Sequence, residues 1–127
     1  MATDKLIGDA LLTKTFQANE ALAANRFVKL VSQSGPKPKV GYADGGEDAV
    51  GVTRDDYRIN DQADVVMLGT AYVEVGGSNI TAGAVIQADT DGKAEVATTA
   101  DIVMGKALTD ANAAGFVLVL LGNGGIY

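Results

Sequence analysis

Apolar and polar positions alternate over short stretches of this chain, and no long helical period is present. Leu12, Lys14 and Phe16 fall on one side of an extended segment, with Thr13, Thr15 and Gln17 on the other. Two Thr and a Phe in that alternation predict a strand. Further strands are expected at Phe27–Val31, from Val40 to the Asp44-Gly45-Gly46 turn, at Val50–Val52 and at Val65–Leu68. The pattern restarts at Thr70–Val75 and continues through Ala84–Ile86, Ala94–Val96, Ile102–Met104 and Phe116–Leu121. Ala18–Ala24 prefers helix locally but is too short to nucleate one. Glu47–Ala49 and the capping-box sequence Thr98-Thr99-Ala100-Asp101 each allow a single helical turn.

The second half follows the first element by element. Leu22-Ala23-Ala24 matches Ile80-Thr81-Ala82, Phe27-Val28-Lys29 matches Val85-Ile86-Gln87, and Lys39-Val40 matches Glu95-Val96. Val50-Gly51-Val52 matches Met104-Gly105-Lys106, and Val66–Gly69 matches Val119–Gly122. Each change of offset falls in a loop, where length changes cost least. The expected organisation is therefore an arm (residues 1–11) and one all-β domain with minor α content (12–127). That domain comprises pseudo-repeats 12–69 and 70–122 and a tail, 123–127. Two repeats are too few for a solenoid, so a closed barrel or sandwich with pseudo-twofold symmetry is predicted.

Composition narrows the chemistry. The 127 residues should bury roughly two-thirds of the surface of the unfolded chain, enough for a core without disulfides. With 6% aromatic residues and no Trp, that core must come from Val, Ile, Leu, Ala and Met. Cys and His are both absent, which removes thiolate and imidazole nucleophiles, bases and metal ligands together. No cofactor and no enzymatic activity are expected. The net charge is −6 with Lys and Arg scattered singly, so the basic stripe of a nucleic-acid binder is missing. No apolar run reaches the ~20 residues of a membrane helix. The N-terminus lacks the basic start and apolar core of a signal peptide, so synthesis in the cytoplasm is expected.

Two acidic groups are candidate sites. Asp89-Thr90-Asp91-Gly92 with Glu95 lacks the spacing of an EF-hand calcium loop and reads as a hairpin turn, with Asp91-Gly92 supplying positive φ angles. Asp55, Asp56, Asp61 and Asp64, interrupted by Arg54 and Arg58, read as a solvated loop rather than an acid–base pair. No glycine-rich phosphate cradle is present. Tyr42, Tyr57 and Tyr72 are the aromatic candidates for a β-barrel module binding a small ligand or carbohydrate, the alternative reading.

Laid out in order, Ala82-Gly83-Ala84-Val85, Asp89 to Val96, Met104-Gly105-Lys106-Ala107 and Ala113 to Leu121 form a progression. It resembles that of the capsid cement, or head decoration, proteins of tailed bacteriophages, over roughly residues 12–122. The resemblance implies a compact β-barrel of β-tulip type and a virion structural role without catalytic residues. It implies a homotrimer on the outer capsid surface, bound to the major capsid protein at junctions between its copies, with no nucleic acid and no membrane as partner. Some relatives pair an N-terminal arm with a capsid strand, corresponding here to residues 1–11. Leu6, Ile7, Leu11, Leu12, Phe16, Ile126 and Tyr127 are the expected capsid or subunit contacts.

Overall fold

Valine-rich segments of alternating burial, cut by Gly, Asn and Asp at turns, pair here into a single nine-stranded sheet. The computed structural model describes residues 8–32, 35–98 and 101–126. The strands are β1 (Ala10–Ala18), β2 (Phe27–Val31), β3 (Lys39–Tyr42), β4 (Gly51–Thr53), β5 (Gln62–Glu74), β6 (Val85–Ala88), β7 (Ala94–Val96), β8 (Ile102–Ala107) and β9 (Phe116–Ile126). Among the described residues there is no helix, so the fold is all-β without the minor α content expected. Glu47–Ala49 is irregular, Ala18–Ala24 ends a strand and then bridges through Leu22, and Thr99 and Ala100 lie outside the described residues.

Hydrogen bonding runs around two rings. In the first, β1 pairs antiparallel with β5 and parallel with β3 at Gln17↔Lys39 and Ala18↔Val40, while β2 links β3 to β4 and β4 returns to β5. In the second, the C-terminal part of β5 pairs with β9, and β8 and β6 lead on to β7. A parallel bridge from Val75 to Ala94 completes that ring. Strand β5 belongs to both. It passes through Gly69, whose φ of 105° and close approach to the Asp9 carbonyl exclude a side chain. The sequence reading breaks the chain at this glycine; the structure bends a continuous 13-residue strand there.

The same bonds recur in both halves. Asn25 N–H donates to Thr53 O as Gly83 N–H does to Ala107 O, and both Asn25 and Gly83 have positive φ. Leu22 and Tyr57 exchange bonds as Ile80 and Ala111 do. Val52 pairs with Val66, and Lys106 with Leu120, so the counterpart of Val66 is Leu120 rather than Val119. Consecutive apolar residues hide that one-residue shift from sequence comparison, whereas ladder register fixes it.

One buried cluster (Phe16, Ala18, Leu22, Val28, Val40, Ala63, Val65) belongs wholly to the first ring. The other joins Val73, Val75, Ile80, Ile86, Val117 and Val119 of the second half to Phe27, Val52 and Val66 of the first, so the halves share a core. Phe27 is fully buried, a contribution of roughly 1.5–3 kcal/mol. Its N–H donates to Gly92 O at 2.7 Å across the two halves. Beside it, Arg26 and Lys93 both pair with Glu74, at 3.2 and 3.5 Å. The buried polar residues are also satisfied. Thr53 Oγ1 donates to Ala23 O at 2.7 Å, and Gln87 bonds Glu95 and Thr98.

Candidate interaction surface

Three exposed leucines, Leu11, Leu12 and Leu68, gather where β5 leaves one ring for the other. Leu12 of β1 and Leu68 of β5 are register partners, 45% and 47% exposed. Leu11 beside them is 83% exposed, because the register steps between Ala10 and Leu12 and a bulge turns its side chain outward. The bulge is held from both sides: Asp9 N–H donates to Thr70 Oγ1 at 2.8 Å and Thr70 N–H to Asp9 O at 3.0 Å.

Next to this leucine ridge is a groove of about 280 Å³. Its lining includes Val50 with Met104, Met67 with Leu121, and Leu68 with Gly122. Each of these pairs occupies corresponding positions in the two halves, so the groove straddles the pseudo-twofold axis. Among the described residues Asp48 is the only charged one in the lining. The described lining thus presents mainly apolar side chains and main chain.

Of the residues expected to make contacts, Leu11 and Leu12 lie on this surface. Phe16 is 5% exposed and packs in the first-ring core, beneath the Lys14 ammonium 6.0 Å from its ring. Ile126 pairs with Ile102, so β9 extends into the segment read as a tail. Leu6, Ile7 and Tyr127 lie outside the described residues. Sequence reasoning missed Leu68, Met67 and Met104. Val65–Leu68 is uniformly apolar, and nothing in such a run distinguishes the one exposed side chain.

The acidic loop spends its carboxylates on its own backbone and neighbours. Asp56 Oδ1 accepts from Ala24 N–H, Asp61 Oδ2 from Arg58 N–H and Asp64 Oδ1 from the Thr15 hydroxyl, all at 2.8–2.9 Å. Asp89 Oδ1 caps the β6–β7 turn by accepting from Asp91 and Lys93 N–H. Of the turn residues only Gly92 has positive φ, at 75°, so Asp91 does not share that role as expected. Among the described residues no group of three or more acidic side chains could hold a metal ion, and no helix is long and apolar enough to cross a membrane. Tyr42 is half-buried, with its hydroxyl accepting from Ala23 N–H and Arg26 stacked 5.5 Å from its ring. Tyr57 is half-buried too, and burial raises its hydroxyl above the usual pKa of 10.0. Glu47 is the reverse. The hydrogen bond from Lys29, 2.6 Å away, holds its carboxyl below 4.5, helped by the Asp44 N–H.

Comparison with known proteins carries the site to a family. The sequence pattern of the phage cement proteins matches residues 7–121. Among solved structures, the N base of head fiber gp8.5 of bacteriophage phi29 is similar at 21% identity and a TM-score of 0.74. The match covers 91% of this chain and 98% of that one. At that identity the likeness is one of fold. No curated protein matches the chain. The family match spans both rings, both strands of the leucine ridge and the groove between the halves. On that match the chain belongs to the phage cement protein family, structural proteins of the phage capsid.

Proposed function

We propose that this protein attaches to the outer surface of the phage head at junctions between copies of the major capsid protein and strengthens the shell without catalysing a reaction. The family match over residues 7–121 carries the reading. The leucine ridge at Leu11, Leu12 and Leu68 supports it as the gripping surface. Apolar area freed from water stabilises the contact at roughly 25 cal/mol per Å², and three neighbouring exposed leucines fit an interaction site. Of the arm expected over residues 1–11, Ala10 and Leu11 already lie in β1; the residues before them, with Leu6 and Ile7, would extend that grip along a capsid strand by main-chain pairing. On the shell the protein acts as a homotrimer. One attachment contributes modestly, but attachment repeated over the shell raises the cost of opening any seam.

The test is to sediment purified protein with undecorated, expanded shells of the cognate phage and then challenge those shells by heat. Co-sedimentation with a raised rupture temperature is expected. Protein left in the supernatant with shells no more resistant than before would end the proposal.

A further inference from the structure

The turn after β3 holds an amide against the carboxylate of its own neighbour. Gly45 N–H donates to Asp44 Oδ1 at 2.7 Å. Both residues are exposed. Asp44 is fixed in place by its own main chain: its N–H donates to Glu47 Oε1 at 2.8 Å, and its carbonyl accepts from Glu47 N–H at 3.0 Å. Glu47 is in turn held by Lys29. Nucleophile and electrophile are thus kept in proximity by the fold rather than by chance encounter.

We propose that Asp44 is a site of spontaneous modification, converting to isoaspartate through a cyclic imide with Gly45. The Gly45 amide nitrogen bonds to Asp44 Cγ. The amide proton and the hydroxyl of the protonated carboxyl leave as water, closing a five-membered succinimide. Water then adds at the main-chain carbonyl of Asp44 and the ring opens, so that the chain runs through Cβ. One water leaves and one enters, nothing is oxidised or reduced, and the mass is unchanged. Glycine favours the reaction because a side chain at the next position hinders ring closure.

The structure separates Asp44 from two similar sites. Asp91-Gly92 is the same dipeptide, but Gly92 is buried at a φ of 75°, with its N–H donated to Asp89 O and its carbonyl bonded to Phe27. Asp56 N–H approaches Asp55 Oδ1 at 2.7 Å, as at Asp44, but Asp56 carries a side chain. Only at Asp44 do exposure, the approach of the amide and the missing side chain coincide.

The modification would act on the contact between the halves. Gly46 N–H donates to Ala88 O at 2.9 Å, and Gly46 O accepts from Ile102 N–H at 3.2 Å. An extra methylene in the main chain two residues upstream shifts Gly46 and strains both bonds. Isomerisation therefore loosens the seam between the first half and β6 and β8.

The test ages the full-length folded protein at neutral pH, digests it, and resolves the peptides by chromatography and electron-transfer fragmentation. A second isomer of unchanged mass should accumulate in the Asp44 peptide and not in the Asp91 peptide. Deamidation at Asn123-Gly124 is told apart by its gain in mass. In denaturant both Asp-Gly peptides should convert, because the fold no longer selects. Gly45→Ala should abolish the Asp44 isomer in the folded protein, and it fits sterically, since its Cβ would meet only Thr90 Cγ2, at 3.9 Å. Asp44→Glu, whose longer side chain disfavours ring closure, should abolish it too. Equal conversion at Asp44 and Asp91 in the folded state, or conversion undiminished by Gly45→Ala, overturns the proposal. So does no conversion at Asp44 under conditions where denatured chain reacts.

Discussion

Gly51 and Gly105 occupy corresponding positions in the two halves, and each lies directly on the strand beside it. A Cβ at Gly51 would collide with the Val66 carbonyl, and one at Gly105 with the Leu120 carbonyl. Methyls of Val65 and Val119 close the same spaces from the side. Neither glycine is needed for its φ; both are needed for their lack of volume. Gly51→Ala and Gly105→Ala should each cost about 3 kcal/mol, the upper range for overpacking against rigid main chain. Urea denaturation measures this directly, and an alanine variant as stable as the parent would show that the two ladders can move apart.

These glycines also mark what the sequence makes legible. Strand order, the turns and the correspondence of the halves follow from alternation and from Gly, Asn and Asp punctuation, because those signals are local. The sharing of β5 does not. Gly69 between two apolar runs reads as a stop, and only the close approach of Asp9 shows it to be a bend within a strand. Phe16 shows the other limit. Its alternation identifies a strand face, but whether that face is inside or outside depends on which strands close the ring. Leu68 and the groove follow from pairing across the halves, which no local window contains.

Phe16 and Leu11 should therefore respond differently to truncation. Phe16→Ala removes a core ring and should destabilise the protein by about 3–4 kcal/mol. Leu11→Ala, at a position 83% exposed, should change stability by less than about 0.5 kcal/mol. Thermal or chemical unfolding of the two variants decides it; equal losses would mean that Leu11 packs against the chain.

Arg26, Glu74 and Lys93 tie the β1–β2 and β6–β7 connections to β5. All three side chains are at most 27% exposed. Glu74→Gln should cost about 1 kcal/mol, since hydrogen bonds to charged groups exceed the worth of open surface pairs. The loss should shrink as salt is added. A double-mutant cycle with Arg26→Met measures the coupling, and zero coupling energy would remove this cluster from the account of how the halves are held.

Acid sensitivity should have a traceable component at Glu47. The Lys29 hydrogen bond, followed by that from Asp44, lowers its pKa in the folded state below the ordinary 4.5. A lowered carboxylate stabilises the fold above its unfolded pKa, and that stability is lost as pH falls through the folded value. Stability should therefore decline as pH drops below about 4.5, and Glu47→Gln should flatten that decline by lowering stability above it, with the slope on the alkaline side unchanged. Unfolding midpoints measured across the acid range give the comparison; parallel curves for parent and variant would refute it.

On the shell, Leu12→Ser and Leu68→Ser should weaken attachment by on the order of tenfold each, about 1.4 kcal/mol, with the fold retained. Quantitative sedimentation against expanded shells reads the effect. Unchanged affinity in both variants would move the gripping surface away from the ridge.

The strand shared by the two rings has a mechanical consequence. Residues 62–69 of β5 are laced to β1 and residues 69–74 to β9, with Gly69 in both ladders. A pull entering through one ring therefore reaches the other along a single covalent backbone, as shear spread over two ladders rather than as peeling at one edge. The continuous β5 and the shared core join the halves directly. Resistance to such loading is governed by the unfolding rate, not by equilibrium stability. On the proposed shell contact, such a part would act as a rivet, passing tension between its two rings with little lengthening.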